Sequence, residues 1–192
     1  MAITLYANTV EEALDRADSR HWTRPAPRST RARLHFLARQ RDGGLPALAA
    51  YLGTGENTLN QLLTGHRLPP EDSLHQVLER EVIRLWQPRI RRRAHHTILD
   101  NGGMMTVSFR AWFGFTSAAG STDDPRLRFL TLSLRDPYPK HLFAARHRQA
   151  PEDELNRILS EALAACYFQR NGVPAALEEV TLKEIDYLEF YY

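Results

Sequence analysis

Cysteine is almost absent from this chain of 192 residues: Cys166 stands alone, which excludes an internal disulfide and any zinc site built from several thiolates. It falls in an apolar helical run and reads as a small core residue. Lysine is nearly as scarce, with only Lys140 and Lys183. The positive charge therefore rests on arginine, whose planar fork suits phosphate. No apolar run approaches the length of a membrane span, and the N-terminus lacks the basic-then-apolar pattern of a secretory signal. Those absences predict a cytoplasmic protein with no membrane partner. No glycine-rich phosphate cradle and no convincing metal cluster occur either. His95-His96, a pair beside arginines, reads as surface rather than as ligands. The chain is expected to bind no metal or cofactor of its own.

What the chain does have is charge asymmetry. The formal net charge is +2, but residues 1–15 carry three acids and no Lys or Arg. Residues 16–93 carry fifteen Arg against seven acids, so +8, and residues 94–192 carry ten basic against thirteen acidic residues, so −3. Positive charge is concentrated where counterion release from nucleic-acid phosphates would use it.

Within that basic half, residues 45–64 (LPALAAYLGTGENTLNQLLT) read as two short helices around a tight turn. Leu48, Ala49 and Leu52 form one apolar stripe, and Leu59, Leu62 and Leu63 a second. Gly53 falls where the chain reverses and a Cβ is costly, and Ala49 is small where crossing helices approach. This is the register of a helix-turn-helix, whose second helix lies in a DNA major groove. Its outward positions are polar: Glu56, Asn57, Asn60, Gln61 and Thr64. Asn and Gln side chains pair with adenine edges. Thr54, Thr58, Arg67 and Arg31 complete the expected DNA-contacting set near the motif. The ordinary alternative is a helical hairpin with a solvated face. Further on, Arg89-Ile90-Arg91-Arg92-Arg93 places four arginines in five residues, and Arg91, Arg92 and Arg93 are expected as phosphate contacts beside a solvated-charge alternative.

Around these motifs the chain divides into residues 1–28 (a helix from Val10 to Arg20, then the linker HWTRPAPR), 29–100 (a helix-turn-helix domain) and 101–192. Ser29 caps a basic helix running to about Arg41. Pro69 and Pro70 introduce a helix carrying Leu74, Val77, Leu78, Val82 and Leu85. After Asn101-Gly102-Gly103 the period changes. Val107, Phe109, Ala111, Phe113 and Phe115 alternate with Ser108, Arg110, Trp112 and Gly114, as in a half-buried strand. Leu127–Leu134 reads as a second strand, with Thr116 to Arg126 as the loop between. Two helices follow, 140–148 and 152–169, then a strand-like tail from Leu177. The expected fold is α+β: an all-α helix-turn-helix part, then a small part with a mainly antiparallel sheet and two helices.

The loop holds Gly120-Ser121-Thr122-Asp123-Asp124, which on spacing alone is ordinary turn and cap chemistry. Taken with Gly114-Phe115-Thr116, Leu130-Thr131, Leu142-Phe143, Ile158, Glu161, Leu163, Tyr167-Phe168-Gln169 and the aromatic, acidic tail Ile185–Phe190, however, the second half resembles the telomere-protecting terminal proteins of actinomycete linear chromosomes and plasmids. The helix-turn-helix and Leu78-Glu79-Arg80-Glu81-Val82 before Trp86-Gln87-Pro88 extend the similarity to about Ser29. The resemblance differs in charge, because members of that family tend to be richer in lysine and more basic in the second half.

The resemblance implies a protein joined covalently to the 5′ end of DNA, with a threonine hydroxyl as primer for end-patching synthesis. The matching hydroxyl is Thr122, with Ser121 as second choice and Thr116 as a further acceptor. That hydroxyl attacks the α-phosphate of the first deoxynucleotide and expels pyrophosphate, chemistry that rests on positioning and metal electrostatics. The chain is thus not expected to be an enzyme. A partner DNA polymerase supplies divalent metal and deoxynucleotide, and Asp123 and Asp124 orient the hydroxyl or cap the turn. Telomeric DNA, duplex and single-stranded, and a telomere-associated protein are the other implied partners, with a homodimer possible and the nucleoid as location. The competing expectation is a transcription regulator of helix-turn-helix or, from the strand-helix-helix order of residues 126–169, ribbon-helix-helix type, binding duplex DNA without covalent attachment.

Overall fold

The computed structural model describes residues 6–66, 73–117, 123–167 and 177–192. Among these the chain is α+β, with eight helices and one three-stranded antiparallel sheet, in two compact units.

One unit spans Thr23–Pro88. Helix α2 (Thr30–Arg39) starts where expected: the Ser29 hydroxyl accepts the Ala32 N–H at 3.2 Å, satisfying a donor the first turn leaves over. Helices α3 (Gly44–Leu52) and α4 (Glu56–Leu63) follow, then α5 (Ser73–Leu85). The expected prolines that introduce α5 lie outside the described residues. Leu34, Leu37, Leu48, Ala49, Leu59, Leu62, Leu78 and Val82 bury together as one core. Each leucine so buried contributes about 1.5–3 kcal/mol. Trp86 packs edge-on against Phe36 at 5.1 Å, and its indole N–H donates to the Arg24 carbonyl at 3.1 Å. The side chain of Gln87 accepts from both the N–H and the hydroxyl of Thr23 at 3.0 Å. The segment expected as a linker is thus fastened to this unit from Thr23 onward.

The second unit is built on β1 (Met105–Ser117), flanked by β2 (Asp123–Leu134) and β3 (Leu177–Tyr191) in the order β2-β1-β3. The alternation seen in sequence sets its faces, because successive side chains of a strand point to opposite sides. Val107, Phe109, Ala111 and Phe113 are buried under helices, whereas Trp112, Leu127 and Phe129 face solvent. Helices α1 (Val10–Ser19), α7 (Tyr138–His147) and α8 (Glu152–Tyr167) supply Val10, Leu14, Leu142, Phe143, Leu155 and Leu163 to the same core, and Ile98 and Leu99 of α6 (Pro88–Asp100) pack against it.

Three expectations change. Residues up to Trp22 and residues from Arg89 belong to the sheet unit, not to a separate N-terminal segment and the helix-turn-helix domain. The reason lies in long-range capping and burial. Glu152 of α8 accepts the Val10 and Glu11 N–H groups at 2.6 and 3.0 Å, and the apolar stripe of α1 joins the sheet core. Next, the strands run further than expected: β1 reaches Ser117 and β2 begins at Asp123, whose partner across the ladder is Phe115. Asp123 and Asp124 are therefore strand residues, since the antiparallel ladder continues past the last sequence-visible alternation. Finally, Cys166 is only half-buried at the edge of the core.

Candidate nucleic-acid interface

Helix α3 ends at Gly53, whose φ of +63° is the left-handed conformation that a Cβ disfavours. The Thr54 N–H bonds the Ala49 carbonyl at 3.0 Å and completes the reversal into α4. Leu59 and Leu62 anchor α4 from below, and that spacing rolls its other face outward. Glu56, Asn57, Thr58, Asn60, Gln61 and Thr64 are all exposed, and Thr54 is half-buried in the turn. The Thr64 hydroxyl bonds the Asn60 and Gln61 carbonyls at 3.2 and 2.9 Å, so it is occupied by its own helix. The amides of Asn57, Asn60 and Gln61 form the polar surface of the helix. Arg67 lies outside the described residues.

Arginines of this unit divide into two groups. Arg28, Arg31 and Arg39 are exposed beside α2. Arg33 is instead buried, donating to the Pro27 carbonyl at 3.1 Å and pairing with Glu79 at 3.2 Å. Arg41 stacks on the Tyr51 ring at 3.4 Å.

The Arg91–Arg93 run splits as well. Arg92 and Arg93 are exposed, but Arg91 is only 6% exposed. It pairs with Asp18 at 3.0 Å and Asp15 at 3.5 Å. Helical geometry is the cause, since consecutive residues sit about 100° apart and one of three must face inward. A phosphate contact from Arg91 is therefore withdrawn.

Arg91 enters a polar network that sequence reasoning missed. Asp18 accepts from His95 Nε2 at 2.6 Å and from the Tyr192 hydroxyl at 2.7 Å. His95 Nδ1 meets His147 Nε2 at 2.9 Å, and the Phe143 ring stacks on the His95 imidazole at 3.8 Å. Arg146 donates to Asp15 at 2.5 and 3.2 Å. His95 is 1% exposed, so the surface reading of the His95-His96 pair holds for His96 alone. Because a carboxylate only accepts, His95 carries a proton on Nε2, and across the His95 Nδ1–His147 Nε2 contact one ring donates and the other accepts. Burial, then the neighbouring His95 and Arg92, lower the His147 pKa, consistent with a neutral ring. Burial raises the pKa of Asp15 against the pull of Arg146 and Arg91. Burial also raises that of the Tyr192 phenol, with the Asp18 charge adding to it. The network joins α1, α6, α7 and Tyr192. One sequence signal pointed to it: Asp15 and Asp18 interrupt the apolar stripe of Val10, Ala13, Leu14 and Ala17.

Gly120, Ser121 and Thr122 lie outside the described residues, between the ends of β1 and β2. Thr116 is in β1. Among the described residues no group of His, Cys, Asp or Glu is arranged to hold a metal ion, and no helix is long and apolar enough to cross a membrane. No family model, curated protein or solved structure matches the chain.

Proposed function

We propose that this chain is a DNA-binding terminal protein of linear replicons, which reads duplex DNA through α4 and primes end-patching synthesis from the Thr122 hydroxyl. The observation that carries the DNA-binding part is the exposed amide face of α4, set on a buried leucine pair and entered through the left-handed Gly53. A bidentate amide contact to adenine discriminates bases by about 1–3 kcal/mol.

The priming part rests on the resemblance of the Gly120–Asp124 segment and the tail to the terminal proteins. It gains support from the antiparallel pairing of β1 with β2, which makes residues 118–122 the connection between two ladder-held strands. A partner polymerase provides metal and deoxynucleotide in this reading. The threonine oxygen forms a phosphodiester with the α-phosphorus as pyrophosphate leaves, and the hydroxyl proton passes to a base in the polymerase site.

Incubating the protein with labelled deoxynucleotide, a telomere template and a replication extract tests it. Label is expected on the wild type and on Ser121→Ala, and absent from Thr122→Val. Full labelling of the valine variant would reject the assignment. A non-covalent regulator, by contrast, yields DNA ends free of protein after detergent and heat.

A further inference from the structure

The exposed cations of α6 sit where a helix does not favour them. Arg89 and Arg92 fall near its N-terminus, at the positive end of the dipole, and its first turn holds no acid. Arg89, Arg92 and His96 are exposed and share one side at helical spacing, whereas Arg91 turns inward to Asp15 and Asp18. His147 of α7 comes to the same side, close enough to Arg92 for that charge to act on it. Its ring is exposed, yet its Nε2 lies 2.9 Å from the buried His95 Nδ1. Acids of the neighbouring turns have cations of their own: Asp100 pairs with His96, and Glu154 with Arg148. All of these residues belong to the sheet unit.

We infer that Arg92 and His147 together bind a backbone phosphate of DNA, and that His147 takes up a proton from solvent when they do. The inference rests on the DNA-binding reading and adds to it a second contact and its regulation. His95 is what prepares His147 for this. Asp18 accepts from His95 Nε2 at 2.6 Å and the Phe143 ring stacks on the imidazole at 3.8 Å, so His95 Nδ1 is held toward α7. A protonated His147 donates from both nitrogens. Its Nε2–H goes to His95 Nδ1, and Nδ1–H is left for a phosphate oxygen. The charged and titratable groups around the ring are His95, Arg91 and Arg92 on α6 and Asp18 on α1, with the Tyr192 hydroxyl on that carboxylate. Among them Arg92 is the exposed one, which a ligand reaches. In the free protein burial, His95 and Arg92 lower the His147 pKa. An anion paired with Arg92 cancels that repulsion and adds attraction, so the pKa rises on binding. The complex then holds more protons than the free protein, and affinity increases as pH falls. A phosphodiester keeps its single charge throughout this range, so the pH dependence belongs to the protein.

Fluorescence anisotropy with a labelled random-sequence duplex, at fixed salt in phosphate-free buffer, tests this at about pH 8 and 5.5. The wild type is expected to bind up to about ten-fold tighter at the lower pH. His147→Gln loses that gain, and Arg92→Ala loses it while binding more weakly at both values. In NMR titration of the wild type, which needs no variant to fold, the duplex moves the His147 midpoint upward by about one pH unit. Inorganic phosphate at equal ionic strength leaves the midpoint in place. No duplex binding at either pH would remove the DNA-binding reading itself. Duplex binding of equal affinity at both values, a gain that survives in His147→Gln, or an unmoved midpoint would overturn this inference and leave that reading standing. An equal shift with inorganic phosphate would also overturn it, by giving the site to the free anion.

Discussion

Asp18 is the residue on which the polar interior of the sheet unit converges. One carboxylate receives the buried His95 and Arg91 and the half-buried Tyr192. Removing one partner of such a group leaves an opposite charge without compensation, at a cost of about 3–5 kcal/mol. Asp18→Asn should therefore lower the stability of this unit by that amount in urea denaturation. A change under about 1 kcal/mol would show that the network is incidental. His147 adds a pH dependence. Its pKa is lowered in the fold, so protonation favours the unfolded chain. The stability it contributes is present above the unfolded value, near pH 6.5, and is lost as pH falls below it. The His147→Gln variant should show a shallower decline than the wild type between about pH 6.5 and 5, measured as the difference between the two unfolding curves. Identical slopes would contradict the neutral assignment.

At the scale of elements, the reversal between α3 and α4 depends on one backbone conformation. A Cβ on Gly53 meets nothing within 4 Å, so the penalty of a substitution there is conformational alone. Gly53→Ala should cost about 1–2 kcal/mol, and Gly53→Asn less, because asparagine tolerates the left-handed region. Equal stability of the three proteins in thermal melts would remove the argument. The proposed readout of DNA belongs to this scale too. Asn57→Ala and Gln61→Ala should erode sequence preference, while Arg92→Ala with Arg93→Ala should weaken binding to every sequence and flatten its salt dependence. An unchanged salt slope would leave those two arginines as solvated charge. Arg91 is kept out of that test because its loss would unbalance Asp15 and Asp18.

Much of this level was readable in the amino-acid order. Ser29 as a cap, Gly53 as a turn and the alternation from Val107 to Phe113 are local signals, written in residues a few positions apart. What escaped the reading is long-range. That α1 lies on the sheet follows from Glu152 capping a helix more than a hundred residues earlier, and Arg91 is distinguished from Arg92 only by which way the helix faces. His95 beside His96 looked like surface for the same reason. The partners of His95 come from three other segments, and no spacing rule reveals them.

For the molecule as a whole, charge and chemistry divide along the chain. The unit spanning Thr23–Pro88 presents an amide-bearing helix and exposed arginines. The other unit holds a sheet with one face under helices and the other lined by rings, and the Gly120–Thr122 segment falls in sequence between its paired strands β1 and β2. A protein that stays on a DNA end has to bind DNA and also offer a reactive hydroxyl, and this account assigns those tasks to different parts of the chain. The most direct measurement is mass spectrometry of protein recovered from purified linear DNA ends after exhaustive nuclease digestion. The account predicts a single deoxynucleotide esterified to Thr122, in the peptide between Arg110 and Arg126. Recovery of the chain with that peptide unmodified, or with the nucleotide on another side chain, would contradict it.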